Sequence, residues 1–233
     1  MNPLENYEPR PLPGKQTLTG RLVRLEPYKE EVHGAGLGDA IGGEENADLW
    51  TYMPLNAMPG GEEFGPVFSA TATRRDWIPY VILNRPTRAV LGMASYMRQR
   101  PEHGSIEVGC VAFSKALQKT PAATEAMFLM AMHVIEDLGY RRYEWKCHNL
   151  NKASKRAAVR FGFQFEGIFR NDMVMKGSNR DTAWFAMTDD DWPLIRADFE
   201  HWLSPSNFMA DGHQKLSLSA LRARHAHQQQ QQQ

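Results

Sequence analysis

A strand, a turn and a helix follow one another between residues 105 and 138, and this succession constrains the fold more than any other part of the sequence. Residues 105–113 read Ser-Ile-Glu-Val-Gly-Cys-Val-Ala-Phe, which is typical of a strand, and apolar residues recur at helical spacing over residues 122–138. The turn between them contains Gln118-Lys119-Thr120-Pro121-Ala122-Ala123. The first backbone N–H groups of a helix have no partner within it, and the helix dipole makes that end positive. The succession therefore predicts a phosphate or pyrophosphate site at this turn.

The composition is that of an ordinary globular protein and argues against several function classes. Of 233 residues, 42% are hydrophobic and 23% are charged, which suits one domain with tails. Lys+Arg and Asp+Glu both number 27, so we expect no dedicated nucleic-acid-binding or membrane-binding domain. No run approaches the roughly 20 apolar residues of a transmembrane helix, and the first ten residues lack the apolar region of a signal peptide. Cys110 and Cys147 lie in predicted strands and are expected to be buried thiols, which predicts a cytoplasmic protein.

Three regions differ in their sequence pattern. Residues 1–16 predict a flexible, proline-rich arm, residues 17–203 the folded domain, and residues 204–233 a disordered polar tail that ends in six glutamines. Within the domain, strands are predicted at 17–26, 77–83, 89–97, 105–113, 143–147, 163–170 and 181–187. Helices are predicted at 122–138, 152–161 and 189–202. The glycine-rich residues 27–66 predict short helices and mobile loops, which often shape a substrate pocket.

Four further segments after the turn carry a resemblance to a known family. They are Leu138-Gly139-Tyr140-Arg141-Arg142-Tyr143, Asn151-Lys152-Ala153-Ser154, Gly162-Phe163-Gln164-Phe165-Glu166-Gly167 and Asp181-Thr182-Ala183-Trp184. With the turn, their order and spacing over residues 105–187, about a third of the chain, resemble the Gcn5-related N-acetyltransferase (GNAT) superfamily. The subgroup that they resemble includes ribosomal-protein N-terminal (serine/alanine) acetyltransferases. The resemblance implies an α/β (α+β) fold with a central mixed, mostly antiparallel sheet of about seven strands, a V-shaped splay and flanking helices.

The resemblance also implies acetyl-CoA as cosubstrate, bound in the cleft between the strand that ends at Phe113 and the strand at 143–147. One backbone N–H of the first strand would polarise the thioester carbonyl. Asn151 matches a family asparagine near the pantetheine, although it equally suits the N-cap of the following helix. The implied cofactor contacts are Val111, Ala112, Phe113, Gln118, Lys119, Thr120, Ala122, Ala123, Thr124 and Asn151.

The turn departs from the family's phosphate loop, Gln/Arg-x-x-Gly-x-Gly/Ala, at one position. Gln118 and Ala123 match its ends, but Pro121 replaces the middle glycine. Proline suits the first turn of a helix yet has no N–H, so five backbone donors are expected over residues 118–123 where six would otherwise stand. We expect the Thr120 hydroxyl to substitute for the lost donor and Lys119 to add a point charge. The alternative is an ordinary helix start capped by Thr-Pro.

Acetyl transfer to an amine needs a base for the ammonium proton and an acid for the leaving thiolate. Many relatives carry the acid as a tyrosine seven residues after the helix asparagine, where this chain has Ala158. Ser154 matches a serine that some members of the subgroup place near the sulfur, and it is our candidate acid, although a helical serine is often only solvated. A thiol with a pKa of about 8.5 also needs little help to leave.

Glu107 is the candidate base, acting directly or through water, as an equivalent glutamate does in part of the family. The alternative is a cross-strand partner for Arg98 or Arg100. Asp172 and His148 are weaker base candidates. No metal site is expected, because the His, Cys and acidic residues lack ligand spacing.

The aromatic residues Trp50, Tyr52, Phe64 and Phe68 form either core or pocket lining, and in a pocket they would favour an ammonium or an apolar amine. The sequence therefore predicts an acetyl-CoA-dependent N-acetyltransferase that acts by direct transfer in a ternary complex. Its acceptor would be a small-molecule amine or a peptide N-terminus, and the protein a monomer or homodimer. The alternatives are a catalytically idle acyl-CoA-binding module and a transferase of a longer acyl group.

Overall fold

The computed structural model describes residues 4–230, with side chains as far as Arg224. Within this range the strands are β1 (Leu18–Thr19), β2 (Val23–Pro27), β3 (Ile78–Asn84), β4 (Val90–Arg100), β5 (Ser105–Phe113), β6 (Arg142–His148), β7 (Gln164–Met175) and β8 (Ser178–Thr188). The α-helices are α1 (Glu30–Ile41), α2 (Phe64–Arg74), α3 (Pro121–Met132), α4 (Lys152–Phe161), α5 (Trp192–Leu203) and α6 (Leu218–Gln230). A π-helical turn, His133–Asp137, continues α3.

The eight strands form one mixed sheet in the order β1-β2-β3-β4-β5-β6-β8-β7, and every neighbouring pair is antiparallel except β5 with β6. The predicted fold class is confirmed. The sheet has one strand more than the expected seven because residues 17–26 form two strands. The backbone turns at Gly20, and β1 folds back on β2, with Leu18 opposite Leu25.

The sheet splits between β5 and β6, as the V-shaped splay requires. Their parallel pairing covers Ser105–Val108 of β5 and ends there. Beyond it, β5 pairs only with β4, while the last residues of β6 pair only with β8. A bulge marks the split, since Cys110 and Val111 together face Ala94, and Cys110 has a left-handed φ of 48°. The bulge bends β5 away from β6 and opens a cleft.

Two apolar cores lie on the two faces of the sheet. The larger core includes buried residues of α3, α4 and α5, and the smaller one is formed with α1 and α2. Trp50, Phe64 and Phe68 are fully buried in the smaller core, so three of the four aromatic residues are core and only Tyr52 faces the cleft. Within residues 27–66, Gly34 of α1 lies against Gly65 of α2, so glycine here permits close helix packing as well as turns.

The C-terminal segment differs from the predicted disordered tail. Leu218 and Leu221 of α6 are buried in the larger core, and the Asn207 amide donates to the carbonyls of Trp202 and Leu216. Apolar burial and hydrogen bonding therefore order residues 204–224, although their local composition is polar. Residues 231–233 of the glutamine run lie outside the described residues.

The N-terminal segment also makes defined contacts. Both the Tyr7 hydroxyl and the Arg10 N–H donate to the Pro101 carbonyl, and the Gly14 N–H donates to the Tyr80 hydroxyl. Within residues 4–230, no helix is both long and apolar enough to cross a membrane.

Candidate active site

A cavity of about 1070 Å³ occupies the cleft between β5 and β6. Its walls come from β5, the turn before α3, the first turns of α4, strand β8, residues 48–54 and residues 208–214. Its volume lies at the upper end of the range for ligand pockets, which extends to roughly 1,000 Å³. The cavity has room for an elongated ligand and a second, smaller molecule.

The turn before α3 uses much of its own hydrogen-bonding capacity. Thr120 caps the helix, since its Oγ1 accepts the Ala123 N–H over 3.3 Å and donates its own hydrogen to the Leu117 carbonyl over 2.7 Å. The N–H groups of Gln118 and Thr120 donate to backbone carbonyls of the same turn. The Thr-Pro helix start is thus present. The expectation that the Thr120 hydroxyl substitutes for the missing donor is wrong, because its hydrogen is already donated.

Two donors of the turn have no acceptor within the described residues, the N–H groups of Lys119 and Ala122. The expectation of five available donors is therefore wrong, because the turn satisfies the others itself. Lys119 has a left-handed φ of 60°, which turns its N–H out of the local hydrogen-bond pattern. Lys119 lines the cavity, whereas Ala122 does not. The two N–H groups lie at the positive end of the α3 dipole, which is the kind of position that favours an anion.

The structure brings most of the expected cofactor residues to the cavity wall. Those that line it are Val111, Phe113, Gln118, Lys119, Thr120, Ala123, Thr124 and Asn151. Ala112 and Ala122 do not line it. The side chain of Ala112 lies in the smaller core, so only its backbone is available to a ligand. The Gln118 amide donates to the Phe113 carbonyl over 2.8 Å and so fixes the end of β5 against the turn.

Asn151 and Ser154 lie at the start of α4. The Asn151 side-chain oxygen accepts the Ser154 N–H over 3.0 Å, so this asparagine is the helix N-cap, with its amide N–H groups left unpaired among the described residues. Ser154 lines the cavity, and its Oγ accepts the indole N–H of Trp145 over 3.0 Å. Ala158 is fully buried in the larger core and does not line the cavity.

Glu107 lies in the cavity wall within a buried charge network. Its Oε2 is 2.7 Å from Lys146 Nζ and 3.8 Å from Arg98 Nε. Lys146 also binds Glu144, which is the partner of Arg100. Of the two cross-strand partners considered, Arg98 contacts Glu107 and Arg100 does not. Burial raises the pKa of Glu107, and the Lys146 ammonium opposes that shift.

The two weaker base candidates occupy different surroundings. The His148 ring lies 5.3 Å from the Tyr52 ring between centroids, at an interplanar angle of 60°. Its Nδ1 accepts the Leu150 N–H, and burial lowers its pKa. Asp172 is exposed at the cavity rim. Neither is as enclosed as Glu107.

Sequence reasoning missed several residues of the cavity wall. Trp145 and Lys146 are neighbours in β6, so their side chains point to opposite faces of the sheet. The period of two residues in a strand could have predicted this from the position of the strand. Arg180 of β8 gave no motif signal, because only the pairing of β6 with β8 brings it to the cavity. Cys147 is buried as expected, whereas Cys110 is only partly buried, because the bulge places it in the cavity wall. Desolvation raises the pKa of the Cys110 thiol to about 12.

The geometry agrees with a known family. The family model of the acetyltransferase (GNAT) domain matches residues 30–164, more than half of the chain. The crystal structure of a GCN5-related N-acetyltransferase from Brucella melitensis is 41% identical, covers 94% of this chain and 100% of that chain, and has a TM-score of 0.89. The chain therefore belongs to the GNAT acetyltransferase family.

Other solved structures are similar at lower identity. A probable GNAT-family acetyltransferase from Chromobacterium violaceum is 36% identical over 83% of this chain and 96% of its own, with a TM-score of 0.77. A putative ribosomal-protein-serine acetyltransferase from Vibrio cholerae is 15% identical over 76% of this chain and 99% of its own, with a TM-score of 0.62, and shares the fold. No curated protein matches the chain.

The cavity fits the acetyl-CoA that this family uses. The free N–H groups of Lys119 and Ala122 suit a pyrophosphate. The edge of β5 beyond Val108 has no strand partner on the β6 side, so its backbone is available to an extended amide-containing chain. Among the described residues no group of three or more His, Cys, Asp or Glu is arranged to hold a metal ion.

Proposed function

We propose that this protein transfers an acetyl group from acetyl-CoA to a primary amine, directly and within a ternary complex. One observation carries the proposal: a hydroxyl, Ser154, a carboxylate, Glu107, and the unpaired N–H of Lys119 at the start of α3 all belong to the wall of one cavity. This arrangement supplies an anion site, an acid and a base to the same space.

Acetyl-CoA supplies the activated acetyl thioester. In this proposal Lys119 and Ala122 bind the pyrophosphate through their N–H groups, and the Lys119 ammonium adds charge. The backbone of Val111, Ala112 and Phe113 binds the pantetheine as an added strand would, with one N–H directed at the thioester carbonyl oxygen. The Asn151 amide N–H groups, which its capping oxygen leaves free, donate to the same part of the cofactor.

Glu107 receives the proton of the acceptor ammonium, directly or through a water molecule. Its Oε2 is held by Lys146 and Arg98, whereas its Oε1 has no hydrogen-bond partner among the described residues. The free oxygen is therefore the one that can accept the proton. Burial raises the pKa of this carboxyl, which makes it a stronger base than an exposed glutamate.

Ser154 donates a hydrogen bond to the departing sulfur. Its oxygen accepts from the Trp145 indole, and its hydroxyl also bonds the Cys147 thiol in the ligand-free protein, so in this proposal the hydroxyl hydrogen exchanges that partner for the departing sulfur. Ser154 replaces in this role the tyrosine that relatives carry at the position of Ala158. A small-molecule amine and a peptide N-terminus are both acceptors of this chemistry. We further propose that the protein is a monomer or homodimer. We also propose a cytoplasmic location, which the two free cysteines support.

A thiol-release assay with acetyl-CoA and a panel of primary amines and short peptides tests this function. We expect turnover with at least one acceptor, and a fall in kcat of about tenfold or more in Ser154→Ala. The matched control is Ser178→Ala, an exposed serine outside the cavity, which should leave kcat unchanged.

Coenzyme A binding is measured separately by the rise in melting temperature that a native-state ligand causes. No rise would refute the cofactor assignment. A rise without turnover on any amine would instead favour an idle acyl-CoA-binding module. Turnover only with a longer acyl-CoA would show that the protein transfers a longer acyl group.

A further inference from the structure

Arg180 of β8 is a buried guanidinium without a carboxylate partner. It is 8% exposed and lines the same cavity as Glu107. Its Nε donates to Thr182 Oγ1 over 3.1 Å, and its Nη1 lies 3.7 Å from the Met175 sulfur. Within the described residues it forms no ion pair, and its Nη2 has no hydrogen-bond partner. A buried arginine charge stays ionised and is costly unless an anion meets it.

Burial lowers the pKa of Arg180, and the charges of Glu107 and Asp172 oppose that shift, but neither carboxylate forms an ion pair with it. Glu107 is held by Lys146 and Arg98 through Oε2, and Asp172 lies at the exposed rim without an ion pair to Arg180. Outside the turn before α3 and outside α4, cationic side chains outnumber carboxylates in the cavity wall. The cations are Arg75, Arg98, Lys146 and Arg180, and the carboxylates are Asp48, Glu107 and Asp172.

The tip of the β7–β8 hairpin, which follows Asp172 and precedes Arg180, is tied to the opposite side of the cavity. The Lys176 ammonium, at this tip, donates to the Trp50 carbonyl over 2.7 Å. Tyr52 lies near His148 on the same side, with ring centroids 5.3 Å apart. These contacts hold Arg180 and the segment at residues 48–54 around one space.

We propose that the acceptor is an amino acid. Arg180 binds the carboxylate of this amino acid, and Glu107 accepts the proton of its ammonium group. This inference rests on the proposed function. Arginine suits the task because its planar N–H fork binds a carboxylate through two hydrogen bonds. The Nε of Arg180 is engaged by Thr182, so the Nη groups are the ones that contact the carboxylate. An anionic acceptor group supplies the ion-pair partner that the Arg180 guanidinium lacks among the described residues.

Matched acceptors test the inference. Each of the standard amino acids is compared with its carboxamide, for example leucine with leucinamide and with 3-methylbutylamine. We expect kcat/KM to be at least tenfold higher for the preferred acid than for its amide, with most of the difference in KM. In Arg180→Gln this preference falls to about one, because the amide loses nothing when the guanidinium is removed.

Two further variants separate binding from folding. Arg180→Lys keeps the charge but not the fork and should recover part of the preference, while Arg156→Gln, an exposed arginine of α4 outside the cavity, should behave as the wild type. The rise in melting temperature with coenzyme A should be the same in all variants. That result would show that the acceptor site alone has changed.

Calorimetry on the coenzyme A-loaded protein gives a readout without turnover. The preferred amino acid should bind at least tenfold more weakly to Arg180→Gln than to the wild type. Equal use of acids and amides, unaltered in Arg180→Gln, would overturn the inference and leave the acetyltransferase function intact. A preference for phosphoethanolamine over every amino acid would also overturn the carboxylate assignment. If no amine is acetylated, the proposed function fails, and absence of amino-acid binding would then overturn this inference independently.

Discussion

The indole nitrogen of Trp145 lies 3.0 Å from Ser154 Oγ, and this bond links β6 to the first turn of α4 across the floor of the cavity. An indole N–H can only donate. The serine oxygen is therefore the acceptor, and its hydrogen is directed to another partner. The tryptophan is buried between Phe161 and Phe163, which fixes the position of the donor.

Trp145→Phe should lower kcat by roughly three- to tenfold, because the serine hydroxyl loses the bond that orients it. The affinity for coenzyme A should change little. Steady-state thiol release together with coenzyme A calorimetry measures both quantities. In a Ser154→Ala background the same substitution should have no additional effect on kcat. Equal losses in both backgrounds would show that Trp145 acts on activity by another route.

Glu107→Gln should lower kcat/KM by about 10²-fold or more if this carboxylate takes the ammonium proton. Burial raises the pKa of Glu107, so the basic form is lost as the pH falls through a value above that of an ordinary glutamate. The wild-type pH profile should therefore contain an acid limb that the glutamine variant lacks. Lys146→Met removes the ammonium that opposes the shift and should move this limb to higher pH. A limb that is identical in all three proteins would assign the proton transfer to another group.

Pro121→Ala should tighten coenzyme A binding by about two- to tenfold, because it restores an N–H donor at the first turn of α3. The same change should lower the free energy of unfolding by about 0.4–1 kcal/mol, since the unfolded chain gains freedom. Calorimetry and urea unfolding measure the two effects. Pro193→Ala, at the matching start of α5, is the control and should show the second effect alone. An unchanged dissociation constant would mean that the proline is neutral for binding.

Glu125→Gln should lower the free energy of unfolding by about 2–4 kcal/mol, with no direct effect on the cavity chemistry. The buried Glu125 carboxylate accepts the N–H groups of Arg21, Leu22 and Val23 over 2.6–2.9 Å and so holds the turn between β1 and β2. An amide group turns one of these acceptors into a donor that faces another donor. Urea unfolding against Glu62→Gln, an exposed control, measures the loss. A value within about 0.5 kcal/mol of the control would contradict the assignment.

Glu26 should make the stability of the protein depend on pH in acid. Its burial raises the carboxyl pKa, but hydrogen bonds from Arg24, Arg88 and His33 outweigh this and lower the pKa to about 2. Because the folded pKa lies below the unfolded value of 4.5, the stabilisation is present above pH 4.5 and is lost as the pH falls toward 2. The arginines are partly exposed, so we expect an effect of about 1 kcal/mol or less.

The test of this dependence is the difference in urea midpoint between the wild type and Glu26→Gln at pH 6, 4 and 3. The wild type should be the more stable protein at pH 6, and the difference should shrink as the pH is lowered. A difference that stays constant with pH would show that the contribution of Glu26 is not ionic.

Local sequence patterns were sufficient for much of the fold. The start of α3 at Thr120-Pro121 and of α4 at Asn151 follow from capping chemistry within a few residues, and both caps are observed. Strand β5 follows from its own composition, at the bounds that were predicted. The predictions were wrong where distant residues decide the outcome, as at residues 204–224, whose order depends on the burial of Leu218 and Leu221 in a core formed by other elements.

In the candidate site, too, some features follow from local sequence and others from distant residues. The turn between β5 and α3 was recognisable from the sequence as a capped helix start with unpaired N–H groups, because a strand followed by a capped helix presents such groups by local geometry alone. The ion pairing of Glu107 could not be predicted from the sequence, because its partner Lys146 is 39 residues away. The two residues meet only through the parallel pairing of β5 with β6. Likewise, Arg180 reaches the cavity only because β8 pairs with β6. The sequence by itself determined strand β5, the helices α3 and α4 and the caps of these helices, because these features depend on interactions within a few residues. Only the tertiary structure decided which charges are paired and that Arg180 has no ion-pair partner among the described residues, because ion pairing depends on distances that strand pairing sets.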